Sequence, residues 1–260
     1  MGIGYIASYL LKAGYEVEII DCIGDNLSRV EFKKRLVKIK ANAYGIGGLI
    51  MAFNNVLEIA NLVRENYPNA FIFAGNTVAS TIPETLLSNS PVQVCVMWEG
   101  EYTTVDLMNT LKEGKYVENV KGIVFKDENC NIIKTPSHPV IKNLDELPFP
   151  AWDLIPMENY MKNINYNFPI SSVRGCPYNC TFCCKTFLFN KVRGRSPQHI
   201  IKELVEAKNR FNIKKFCFFD DLFVYNRDRV IEFCDLKLKT PEIKNIPWEC
   251  SARVNLQMKN

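Results

Sequence analysis

Residues 43–50, AYGIGGLI, are an unbroken apolar run holding a Gly-Gly pair. A strand covered by helices on both faces has this composition, because neither side of its pleat meets water. The flanking sequence repeats the theme. Upstream, residues 3–12 are apolar at helical spacing and stop at Gly14, a natural helix cap, and residues 16–21 (EVEIID) read as a strand. Ser28 and Glu31 form a capping box that opens a helix running through Lys40. Downstream come a helix over 54–66, a strand over 70–74, a short helix around 83–87, a strand over 92–97 and a helix over 102–111. Such alternation predicts an α/β fold built on a doubly wound parallel sheet with right-handed crossovers. Ligands of such sheets sit beyond the carboxyl ends of the strands. Those ends carry Gly47-Gly48-Leu49, Gly75-Asn76-Thr77 and Glu99-Gly100-Glu101. Their glycines suit either ordinary strand-to-helix turns or close approach of the backbone to a ligand.

The second half is organised differently. Residues 121–126 and 131–134 predict a hairpin, and 144–155 (LDELPFPAWDLI) a proline-stiffened connector that packs instead of fraying. Residues 168–174 then form a strand that delivers RGCPYNCTFCC, residues 174–184. A helix over 196–211, a strand over 215–219 ending in Asp220-Asp221, a helix over 227–236 and a third strand over 247–253 follow. This is the opening of a (β/α) barrel, whose chemistry gathers at the carboxyl ends of the strands.

Cys176, Cys180 and Cys183 stand at C-x3-C-x2-C spacing. Four-iron clusters normally take four thiolates. A set of three leaves one iron open to a substrate or cofactor, and the spacing is not that of paired zinc knuckles. A zinc-binding or scaffold role is the alternative. Cys184 adjoins a ligand position and reads as a packing or supporting thiol. Cys22, Cys95 and Cys130 show no metal spacing and read as packing thiols.

The cysteine motif resembles that of radical S-adenosylmethionine (SAM) enzymes. The resemblance implies a 4Fe-4S cluster on Cys176, Cys180 and Cys183, with SAM chelating the open iron and cleaved to methionine and a 5′-deoxyadenosyl radical. GIGGLI, FAGNTVAS (73–80) and WEGE (98–101) resemble the cobalamin (B12)-binding domain that precedes many such cores. By that resemblance Gly47, Gly48, Leu49, Gly75, Asn76, Thr77, Glu99, Gly100 and Glu101 line the cobalamin. SAM contacts fall to Phe182 by the adenine, to Asp220 and Asp221 at the amino end, and to Ser251 and Arg253 at the ribose and carboxylate. Plainer alternatives are a core phenylalanine at Phe182, a helix cap at Asp221 and a surface ion pair at Arg253. Arg193 and Arg195 are either solvated charges or a guide for anionic ligands.

The implied layout is a B12-binding-like domain over 1–115, a hairpin and connector over 116–166, and a radical SAM core over 167–260. The family resembles the anaerobic Mg-protoporphyrin monomethyl ester cyclase and the B12-dependent methylases, so a transferase or cyclase acting at an unactivated carbon is implied. An alternative keeps the radical SAM core but reads the first domain as a cobalamin-free substrate-recognition module. The resemblance also places the family's first strand, and its D-x-H-x-x-G histidine, before Met1; His138 and His199, the two histidines present, lie outside this domain. About half of the six strand–helix units of the core are accounted for, which implies a fragment. The substrate, small molecule or peptide, is not written in the residues, and a reducing partner such as flavodoxin or ferredoxin is implied.

Composition sets the remaining bounds. A chain of 260 residues with 47% hydrophobic content is long enough for one large or two modest cores. Net charge is +4, and Lys33, Lys34, Arg35, Lys38 and Lys40 fall at the spacing of a solvated helix face, not a nucleic-acid site. The apolar opening is too short to span a bilayer. Ten cysteines without a secretion signal predict a reducing, cytoplasmic setting.

Overall fold

A computed structural model describes residues 1–162, 166–183 and 191–253. The chain divides into two compact units, residues 2–140 and residues 141–260.

In the first unit, α1 (Gly2–Lys12), α2 (Arg29–Leu36) and α3 (Phe53–Asn66) accompany strands β1 (Ala43–Gly47) and β2 (Phe71–Gly75). Next come α4 (Asn76–Thr81), α5 (Pro83–Asn89), β3 (Val94–Val96), α6 (Gly100–Lys112), β4 (Ile123–Lys126) and β5 (Ile132–Lys134). The five strands lie in the order β1-β2-β3-β4-β5. The first three are parallel and the last two antiparallel. The sheet is therefore mixed, and its strand order runs on without reversal among the described residues. The hairpin read as part of the connector is instead hydrogen-bonded into this sheet.

Alternation along the strands separates two cores. Ile72, Ala74 and Cys95 point to one face, with Val56 and Ala60 of α3, Val78 of α4 and Leu86 of α5. Val94, Val96, Ile123 and Phe125 point to the other, against Leu107 of α6. Helices thus cover both faces. Burial pushes the Cys95 thiol up to about 12, as befits a packing residue. Cys130, by contrast, is exposed at the hairpin turn with φ +62, so it is not a packing thiol.

Two strand expectations change. Residues 16–21 join no ladder among the described residues. Among the described residues β1 is the edge strand, and only its Ile46 is buried, so the apolar run is not enclosed on both faces here. Its Gly45 faces Phe73 across the β1–β2 register, and a Cβ there would lie 2.5 Å from the phenyl ring. The aromatic ring covers the bare backbone. The capping box is as read: Ser28 Oγ accepts from Glu31 N–H, and the Glu31 carboxylate accepts from Ser28 N–H at 2.9 Å. The helix stops at Leu36, short of Lys40.

The second unit holds α7 (Met157–Met161), β6 (Phe168–Ile170), β7 (Val173–Arg174), β8 (Arg193–Gly194) and α8 (Pro197–Phe211). β9 (Phe216–Phe218), α9 (Arg227–Lys239) and β10 (Trp248–Glu249) complete it. β6, β9 and β10 form a parallel sheet in sequential order, with α8 and α9 in the connections. The strand expected over 168–174 is broken at Ser171-Ser172, and β7 turns away to pair antiparallel with β8. The connector packs as expected: Leu144, Leu147, Trp152 and Ile155 are buried, with the Trp152 ring tilted against Phe168 at 4.9 Å. Phe216, Phe218, Phe223, Phe233 and Trp248 interlock edge-to-face and stacked beneath α9. Ser196 caps α8 by accepting from His199 N–H at 3.1 Å, and Asn212 ends it in the left-handed conformation.

Candidate functional site

In the first unit, parallel pairing brings the carboxyl ends of β1, β2 and β3 side by side. Val78 N–H donates to Gly48 O at 3.2 Å and Ile50 N–H to Thr77 Oγ1 at 3.0 Å, which joins the Gly47-Gly48-Leu49 and Gly75-Asn76-Thr77 turns. Gly47 and Gly75 have open space where a Cβ would stand. Gly48 does not: a Cβ would lie 2.6 Å from Val56 Cγ2. Leu49, Ile50 and Met51 are exposed and give this end an apolar surface. Asn76 holds φ +67 and its Oδ1 accepts from Thr77 N–H.

The third turn is placed differently. Gly100 and Glu101 are buried, and a Cβ on Gly100 would lie 3.0 Å from Ile6 Cδ1, so this glycine serves helix packing. Trp98 carries the signal missed in the sequence. It holds φ +61, a conformation that costs a bulky residue about 1–2 kcal/mol. Its N–H donates to Ser80 Oγ at 2.9 Å, tying the end of β3 to α4.

Gly48→Ala tests the fit at the first turn. The extra methyl must displace buried Val56, so a loss of about 1–3 kcal/mol in thermal or denaturant unfolding is expected. Gly47→Ala, with nothing within 4 Å, should cost far less.

In the second unit the cysteine loop leaves β7 through Gly175 at φ +89. Cys176, Cys180 and Cys183 are each half-buried, and Cys183 N–H donates to Cys180 O at 3.0 Å. Arg253 reaches the same loop: its Nη1 lies 3.7 Å from Cys180 Sγ and its guanidinium lies 3.8 Å from the Tyr178 ring centroid. Arg253 is therefore not a remote surface charge. Phe182 is 91% exposed, which removes the core-phenylalanine alternative. Among the described residues no three His, Cys, Asp or Glu side chains are gathered as a metal ion would hold them. The donor chemistry nonetheless fits an iron–sulfur cluster: three half-buried thiols on one loop, with a guanidinium beside one sulfur. Cys184 lies outside the described residues.

The strand-end carboxylates separate. Asp221 is exposed. Asp220 is turned inward and 4% exposed, accepting from Ser172 N–H at 2.7 Å, Val173 N–H at 2.9 Å and the Ser172 hydroxyl. It holds the backbone leading into the cysteine loop. Burial pushes its carboxyl up, against those hydrogen bonds, which pull it down. Ser251 is exposed and its carbonyl accepts from Phe223 N–H at 3.2 Å.

Arg195, read as a solvated or anion-steering charge, is buried instead and paired with Glu203 at 2.5 Å. Glu203 falls among Ile200, Leu204 and Ala207 on the buried face of α8. A carboxylate at a core position was the sequence signal for this pair. Its neighbour His199 accepts from Arg195 Nε at 3.0 Å, and Asp145 lies 3.4 Å away. Burial and then Arg195 push the His199 pKa down, with Asp145 opposing. The stability that neutral His199 contributes is present above its ordinary value near 6.5 and is lost as pH falls toward the lowered value. Acidification below about pH 6.5 should destabilise the protein, and His199→Gln should flatten that slope in unfolding titrations.

Comparison with known proteins agrees with both units. Residues 1–108 match the B12 binding domain family. An uncharacterized methyltransferase of Pyrococcus horikoshii is 31% identical over 98% of this chain and 55% of its own length. The anaerobic magnesium-protoporphyrin IX monomethyl ester cyclase of Cereibacter sphaeroides is 26% identical over 97% of this chain and 42% of its own. The cobalamin-dependent SAM radical enzyme OxsB, solved with aqua-cobalamin and SAM bound, superposes with a TM-score of 0.81 at 26% identity, over 92% of this chain and 34% of that one. In this chain a B12 binding domain is followed by a three-cysteine loop on a β/α unit. The chain carries a B12 binding domain and is similar, over nearly its whole length, to cobalamin-dependent radical SAM enzymes. It spans about half the length, or less, of the curated relatives it matches. Among the described residues no helix is long and apolar enough to cross a membrane.

Proposed function

We propose that this chain carries the cofactor-binding machinery of a cobalamin-dependent radical SAM enzyme that modifies an unactivated carbon, by methylation in the first instance. The observation that supports this best is the joining, in one chain, of a B12 binding domain at residues 1–108 to the C-x3-C-x2-C loop at the end of β7. When bound, a 4Fe-4S cluster would supply reductive cleavage of SAM to a 5′-deoxyadenosyl radical, and cobalamin a transferable methyl group.

The residues divide that work. Cys176, Cys180 and Cys183 would hold the cluster, and Arg253 reaches the same loop at the Cys180 sulfur. The exposed Phe182 ring is available to the adenine of SAM. Asp220 is committed to the backbone, so the ammonium contact passes to exposed Asp221. In the first unit the open backbone at Gly47 and Gly75 and the apolar Leu49–Met51 surface receive the corrin, with Thr77 fixing the turn. An electron donor such as flavodoxin or ferredoxin completes the system, in a reducing cytoplasm. Incubation of anaerobically reconstituted protein with SAM and dithionite should release 5′-deoxyadenosine and methionine. Zinc in place of iron, with SAM untouched, would refute the reading.

A further inference from the structure

Between β6 and β7, the two residues Ser171 and Ser172 carry the chain from the parallel sheet into the cysteine loop. Their peptide groups are held by charged side chains from three other segments. Arg195 Nη1 donates to Ser171 O at 2.9 Å, and Arg195 N–H donates to Ser172 O at 2.8 Å. Arg229 Nη2 donates to Ser172 O at 3.2 Å and to Ser172 Oγ at 2.9 Å, while its Nε donates to Arg195 O at 2.9 Å. Asp220 accepts from both N–H groups of the bend's far side, those of Ser172 and Val173. Glu203 closes the set by pairing with Arg195.

These four side chains are 2%, 8%, 4% and 1% exposed for Arg195, Arg229, Asp220 and Glu203, and their charges sum to zero. Buried ion pairs are a weak device for stability alone, since apolar residues of the same volume serve as well or better. The best-attested use of such groups is to fix a register or a single geometry. Space is tight too: a Cβ on Gly194, next to Arg195, would meet Tyr225 Oη at 2.1 Å. The bend they hold ends at Val173, and Cys176 follows three residues later.

We propose that Arg195, Glu203, Arg229 and Asp220 are positioning residues for the cysteine loop. They lock Ser171–Val173 as the anchor from which Cys176, Cys180 and Cys183 are presented. The inference rests on the proposed cluster site, but the anchor is measurable without iron.

The experiment compares wild type with Asp220→Asn, which keeps the shape and loses the charge, and with Ser172→Ala, which keeps the charges and loses the hydroxyl. Hydrogen–deuterium exchange on iron-free protein should show residues 171–183 opening about tenfold faster in Asp220→Asn, the effect of losing charged hydrogen bonds, with β9 unchanged. After anaerobic reconstitution, iron retention should fall at least about tenfold and the electron paramagnetic resonance signal of the reduced cluster should change, at unaltered circular dichroism. Should Asp220→Asn not fold, Ser172→Ala carries the same comparison. Wild-type exchange over 171–183, or wild-type iron retention and signal, in the folded variants would overturn the proposal. A wild type that takes up no iron would refute the cluster reading instead, and the exchange measurement would still decide the anchor.

Discussion

Cys180→Ala is expected to reduce iron retention from about four atoms per chain to below one and to abolish SAM cleavage. Three thiolates are the minimum that leaves one iron open, so losing one removes a corner that nothing else on the loop replaces. The sulfur removed is also the one beside Arg253, at 3.7 Å from Nη1. Arg253 then keeps only its contact with the Tyr178 ring of the same loop. Cys130→Ala is the control. Its thiol is exposed at the β4–β5 turn, far along the chain from the motif, and its removal should leave iron content and SAM cleavage unchanged. Equal loss in both variants would mean that the cysteines act generally and not as a set of three.

Arg195→Met is expected to be the most damaging single change to stability, by about 3–5 kcal/mol, because it strands the Glu203 carboxylate in a site 1% exposed. Burial already pushes the Glu203 pKa up while Arg195 holds it down, so without its partner the carboxyl must take a proton or the helix must shift. The double change Arg195→Met/Glu203→Leu should recover most of that loss, since the apolar pair brings no charge to desolvate. Denaturant midpoints of the wild type, both single variants and the double variant form the cycle that measures this coupling. A double variant as unstable as Arg195→Met would show that the backbone bonds of Arg195, and not its pairing with Glu203, dominate.

The elements with local signals were legible in the sequence. Ser28 with Glu31 gave the start of α2, the apolar spacing over 196–211 gave α8, and C-x3-C-x2-C the donor set. Long-range facts were not. Whether residues 16–21 make a strand depends on a neighbour to bond with, and no local pattern encodes that. The apolar content of β1 was read as enclosure, but edge position is a property of strand order. Asp220 and Asp221 are adjacent and chemically alike, yet one points inward because Ser172 and Val173, 48 and 47 residues earlier, offer it two N–H groups. Trp98 stands in the WEGE segment, but its left-handed backbone angle is not written in that pattern. Glu203 was the missed clue that a charged network lay inside the second unit.

The central claim is that one chain brings together a cobalamin site and a three-cysteine cluster site. The most direct test is anaerobic reconstitution with iron, sulfide and hydroxocobalamin, followed by desalting and metal analysis. About four irons and one cobalt retained per chain are predicted, with visible absorbance that dithionite bleaches. Zinc bound at the cysteines without iron, or iron retained with no cobalamin at any concentration tried, would contradict it.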